Sequence, residues 1–108
     1  MKTAVRENVG NTIGLHTHFD DTPPTGSDFE AAYKRRYQFG VVANATGDVY
    51  KYGCGGKYVS QKLIDGTIEK YKLMLDTDGH PVYSNYREAH LAALDSLRES
   101  WGIWYEAR

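Results

Sequence analysis

From Lys70 to Ser100 the spacing of apolar positions changes period once. Tyr71, Leu73 and Leu75 fall on alternate positions, the period-2 pattern of a half-buried strand. Asp76-Thr77-Asp78-Gly79 is turn chemistry, because Asp side chains bond nearby backbone and Gly supplies positive φ. Val82 and Tyr83 then return, and Pro81, which has no N–H, confines that strand to a short piece or an edge. Ser84 or Asn85 can cap a following helix with Glu88 in its first turn. Along that helix Tyr86, Ala89, Ala93, Leu94, Leu97 and Trp101 recur at helical spacing. The stretch predicts strand, tight turn, strand, helix.

Residues 36–53 predict a hairpin. Tyr37, Phe39 and Val41 alternate with Arg36, Gln38 and Gly40, Asn44-Ala45-Thr46-Gly47-Asp48 turns, and 49–52 runs back. Gly53-Cys54-Gly55-Gly56 breaks the strand. Residues 57–70 admit two readings. Asp65-Gly66 between β-capable runs is a hairpin signal, which makes 57–64 and 67–75 neighbouring strands of a meander. Leu63, Ile64, Ile68 and Tyr71 also fit a helix capped by Ser60, which would give a tandem of two strand–strand–helix units. The meander is preferred, since Gly66 would cost an exposed helix interior roughly 1 kcal/mol.

Residues 1–26 read as an irregular arm punctuated by Gly10, Gly14, Gly26 and Pro23-Pro24. Within it, Ile13, Leu15, Thr17 and Phe19 alternate weakly and admit a strand. Ser27 with Glu30 fits a capping box for a short helix over 28–35. The fold class expected for 27–108 is a single α+β domain. It is an antiparallel sheet of hairpins or meander packed against a C-terminal helix, with a short N-terminal helix beside it.

Composition narrows the setting. A chain of 108 residues with 41% hydrophobic and 25% charged residues suits one soluble domain with a modest core. No apolar run is long enough to span a membrane. The opening Met-Lys-Thr-Ala-Val-Arg-Glu-Asn has no apolar h-region, and the single cysteine, Cys54, cannot form an internal disulfide. Together these lead to a cytoplasmic expectation, or the host cytoplasm for a phage product. The net charge of −1 hides an uneven distribution. Residues 34–72 carry eight Lys and Arg against three acids, whereas both flanks are acidic.

That basic middle interleaves with aromatics: Tyr33, Tyr37, Tyr50, Tyr52, Tyr58 and Tyr71 among Lys34, Arg35, Arg36, Lys51, Lys57, Lys70 and Lys72. On a sheet, such residues could share one face. It would meet a protein, since Tyr gives contact area at small entropy cost, or stack and neutralise a single-stranded nucleic acid. The bland reading buries each ring in a small core. The candidate binding residues are Arg35, Arg36, Tyr37, Tyr50, Lys51, Tyr52, Lys57 and Tyr58. Trp104 and Tyr105 of the aromatic tail join them, either folding back on the sheet or forming an interface.

Chemistry-bearing clusters are few. Two histidines at i, i+2 on a strand point to one side and can share a metal ion, as His16 and His18 would. His16-Thr17-His18-Phe19-Asp20 resembles the first metal motif of the amidohydrolases over five residues. That family needs a barrel of roughly 250 residues and ligands on later strands, so this short chain is not a member. A local site would take Asp20 or Asp21 as third ligand, with His80 from elsewhere. Cys54, flanked by Lys51 and Lys57, invites a nucleophile reading but has no local signature. His90 lies on the helix's apolar face, as a core-edge histidine would. Gly53-Cys54-Gly55-Gly56 lacks the Gly-Lys-Ser/Thr ending of a phosphate loop, and Asp76/Asp78 lack the distal Glu of a calcium loop.

No cofactor is called for. The expectation is a non-enzymatic binding module with a protein partner, of the general character of a phage-type inhibitor or adaptor. Single-stranded nucleic-acid binding is the alternative, and a metal- or Cys54-dependent small enzyme the second. Homodimerisation through the arm or a strand edge is allowed.

Overall fold

In the computed structural model the described residues are 12–108, so residues 1–11 of the expected arm lie outside them. The rest of that arm holds a strand, β1 (Ile13–His18), and a loop whose Pro23 and Pro24 are buried. Helix α1 (Gly26–Lys34) follows, then β2 (Phe39–Asn44), β3 (Val49–Gly53), α2 (Gln61–Lys72), α3 (Tyr86–Trp101) and β4 (Trp104–Ala107). The fold is α+β, with four strands in the order β1-β2-β3-β4.

The sheet is mixed, which corrects the antiparallel expectation. β1 and β2 run parallel, with Ile13 opposite Phe39 and His18 opposite Asn44. The reason is α1: a helix between two adjacent strands is a crossover, and it returns the chain in the same direction. β2 and β3 form the expected hairpin. Its turn is held by the Asn44 side chain, whose Oδ1 accepts from Asp48 N–H and Thr46 Oγ1 at 3.0 and 2.8 Å. β4 adds to β3 antiparallel after Gly102, at φ 74°, ends α3.

Residues 57–70 are not a meander. Ser60 Oγ accepts the Leu63 N–H at 3.1 Å and caps α2, which buries Ile64 and Ile68. Gly66 sits inside this helix, and Asp65 is not a turn residue: its Oδ1 accepts the Gly26 N–H at 2.8 Å. The predicted 71–75 strand also fails. Tyr71 and Lys72 end α2, and only an isolated Leu75–Pro81 bridge remains of the second hairpin. Among the described residues no strand of the sheet lies alongside Leu73 and Leu75, which stay exposed.

One core holds the helices to the sheet. Phe29 and Ala32 of α1, Ile64 and Ile68 of α2, and Ala93, Leu94 and Leu97 of α3 cluster with Val42, Tyr52 and Ile103. Phe29 meets Tyr52 edge-on, ring centres 5.2 Å apart. All the sheet residues in this cluster come from one face, the face of Gly40, Val42, Asn44, Tyr50 and Tyr52. Along the opposite face Ile13, Leu15, Phe39, Val41, Ala43, Val49 and Trp104 are exposed or half-buried. Among the described residues no helix is long and apolar enough to cross a membrane.

Candidate functional site

Among the described residues two features stand out: a His–Asp–His cluster at the start of the crossover, and a sheet face that no described element covers.

In β1, His16 and His18 are two residues apart and so leave the strand on the helix side, opposite Val42 and Asn44. Helix α1 starts after Thr25 and brings Asp28, its third residue, beneath them. An acid here is favoured by the helix N-terminus, and Asp28 Oδ2 accepts the Thr25 N–H at 2.9 Å and the Thr25 hydroxyl at 3.1 Å. The N-terminal box is therefore Thr25 with Asp28, not Ser27 with Glu30. Glu30 instead accepts the Gln61 N–H, at 2.8 Å.

The Asp28 carboxylate is fully buried. His18 Nε2 lies 3.2 Å from its Oδ2, and His16 Nδ1 lies 2.8 Å from its Oδ1. The second approach is at ion-pair distance but not aligned as a hydrogen bond, so Oδ1 is left without a hydrogen-bond partner. On its other side His18 places Nδ1 2.9 Å from the Thr22 carbonyl. A carbonyl oxygen only accepts, so Nδ1 carries a proton. A neutral His18 then turns a bare Nε2 lone pair toward the carboxylate. The rings of His16 and His18 meet edge-on, 5.0 Å apart.

Asp28 was not among the ligands expected from the sequence. Asp20 turns away, its Oδ1 accepting the Thr22 N–H at 2.9 Å, and hydrogen bonding from the Thr22 side chain first, and from that N–H second, holds its carboxyl below the usual range. His80 belongs to the 76–80 turn, where Asp76 Oδ1 accepts its N–H and that of Asp78. The available signal was Thr25-x-x-Asp28 after a strand. A helix N-terminus that follows a strand brings its third residue back toward the strand's end.

The predicted binding residues do not share one surface. Tyr50 and Tyr52 are buried under the helices, with the Tyr50 hydroxyl accepting from Arg87 Nε at 3.1 Å. Burial also pushes the Tyr52 phenol up. Tyr105 is half-buried on that same side, its ring 6.3 Å from Tyr50. Lys51 and Trp104 lie on the open face, where Lys51 Nζ stands 4.3 Å over Phe39 and Trp104 lies against Gly53. Arg36 and Tyr37 line a cleft of about 510 Å³ with Tyr33, Lys34 and Cys54. Arg35 donates to the Tyr37 hydroxyl at 3.0 Å. Tyr58 donates to Glu30 at 2.9 Å, and Lys57 Nζ stands 4.8 Å over Trp101.

Cys54 donates its Sγ–H to the Phe29 carbonyl at 3.2 Å, and burial pushes the thiol up to about 11. It is a thiol at neutral pH and lacks the lowered pKa of a nucleophile. His90 is buried, places Nε2 2.7 Å from the Pro24 carbonyl, and is held below its ordinary value first by that burial. It ties α3 to the loop that positions α1. No protein family, curated protein or solved structure matched this chain.

Proposed function

We propose that this chain is a small binding module that acts by contact with a protein, as an inhibitor or adaptor does. The observation that carries this reading is the sheet face that no described element covers. Ile13 and Leu15 are 45% and 82% exposed, and Leu15 lies beside Val41 in the register. Phe39, Ala43, Val49 and Trp104 extend the apolar surface across all four strands. A contiguous exposed apolar patch of this kind marks a contact surface. Phe39 and Trp104 are the sort of rigid aromatic anchors that dominate binding energy. Lys51 on this face lies over the Phe39 ring and has the acidic Glu106 as its register neighbour, so the face is not a run of cations. That balance favours a protein surface over phosphates, and Tyr50 and Tyr52 offer no ring face to a base. The reading keeps the cytoplasmic setting and assigns the chain no catalytic step.

The test is capture from native lysate on immobilised chain, with and without nuclease and at raised salt. The expected result is a protein retained under all conditions. Capture lost with nuclease, or falling steeply with salt as counterion release demands, would replace this reading with nucleic-acid binding.

A further inference from the structure

We infer that His16, His18 and Asp28 form a binding site for a divalent transition-metal ion of the zinc class. The three ligand atoms lie within 4.8 Å of one another. Zinc takes nitrogen and oxygen ligands at about 2.0–2.2 Å, which at tetrahedral angles sets neighbouring ligand atoms roughly 3.3–3.6 Å apart. His16 Nδ1 stands 2.8 Å from Oδ1 and His18 Nε2 3.2 Å from the other oxygen, Oδ2, so a modest shift of the rings and the carboxylate brings one atom of each residue to that spacing.

Three independent features point the same way. The first is the orphan: Asp28 Oδ1 is buried and has no hydrogen-bond donor, an arrangement that costs free energy unless a cation supplies the missing partner. The second is the tautomer. A metal-binding histidine commonly donates its other ring N–H to a backbone carbonyl, and His18 has the Thr22 carbonyl in that place. The third is the room beside the cluster. A cleft of about 220 Å³ is lined by His16, Ser27, Asp28, Arg35 and Tyr37, so water or a small anion can complete the coordination. Imidazole nitrogens with one carboxylate suit zinc, iron or copper rather than magnesium or calcium.

The competing arrangement is a plain ion pair in which a proton on His18 neutralises Asp28. Titration of the tag-free full chain, stripped with chelator, separates the two. Calorimetry with Zn²⁺ alone and visible absorption with Co²⁺ alone are the readouts. The expected result is one ion per chain. His16→Ala and His18→Ala should each weaken Zn²⁺ by more than the ~10–100-fold that loss of an outer-shell partner costs, whereas His80→Ala leaves it unchanged. Because the His16 side chain is 52% exposed, its removal should leave the circular dichroism spectrum intact. No stoichiometric uptake, or equal affinity in His16→Ala, overturns the inference. Asp28→Asn is the weaker probe, since it also disturbs the Thr25 cap.

Discussion

Arg36 has a φ of 52°, the left-handed conformation in which a side chain is strained. It follows the C-cap of α1, and the Tyr37 N–H reaches the Ala32 carbonyl at 2.9 Å in a Schellman closure that normally takes glycine at this position. The left-handed penalty is about 1–2 kcal/mol, offset by roughly 0.5–1 kcal/mol of extra unfolded-state freedom for glycine. Arg36→Gly should therefore raise the urea midpoint by roughly 0.5–1 kcal/mol of stability. Gly40 is the opposite case. A Cβ there would collide with Cζ of the buried Tyr52 ring. Gly40→Ala should destabilise by about 1–3 kcal/mol or more, since neither the core ring nor the strand can give way cheaply. The sequence shows both residues but not their constraints. A strand glycine reads as a weak position until the ring lying on it is known, and the fate of Tyr52 depended on which face of β3 the helices cover.

At the scale of elements, the joint between α1 and α2 rests on Glu30. Its carboxylate accepts the Gln61 N–H at the start of α2, the Tyr58 hydroxyl and Lys34 Nζ. Those bonds, the Gln61 N–H first, hold Glu30 down to about 2 from an ordinary 4.5. A depressed carboxylate adds stability above its unfolded value and loses it as the pH falls toward the folded one. The gap in urea midpoint between wild type and Glu30→Gln should thus be widest above 4.5 and close as the pH approaches 2. A gap constant with pH would show that the ionised carboxylate is not what joins the helices. Asp65 repeats this use of an acid across elements, and it explains the error at 57–70. Asp65-Gly66 has hairpin chemistry locally, but the Asp65 carboxylate serves the Gly26 N–H across the α1–α2 contact. The helical spacing of Ile64 and Ile68 is what the core selected. Propensity at Gly66 was real and was outweighed by two buried isoleucines. The α3 cap was legible because Asn85 and Glu88 act within one turn, and Asn85 Oδ1 does accept the Glu88 N–H, at 2.8 Å.

At the scale of the molecule, the α+β class was legible, and the mixed sheet was not. Parallel pairing of β1 with β2 depends on α1 crossing between them, and no local pattern in Thr12 to Phe19 states which neighbour the strand will take. The same crossing brings Asp28 under His16 and His18, so the third member of that cluster was hidden by the same ignorance. The aromatic–basic bias was visible, but alternation sent Tyr50 and Tyr52 inward and Lys51 outward. The proposed contact surface is the apolar side of the sheet, with Leu15 near its edge. The most direct measurement is calorimetric affinity for the captured protein, comparing Leu15→Asp with Leu73→Asp. Leu73 is 65% exposed beyond the end of α2, so both changes place the same charge on an exposed leucine with little cost to the fold. The account predicts at least a tenfold loss of affinity, about 1.4 kcal/mol, for Leu15→Asp and none for Leu73→Asp. Unchanged binding by Leu15→Asp, or a loss confined to Leu73→Asp, would contradict it.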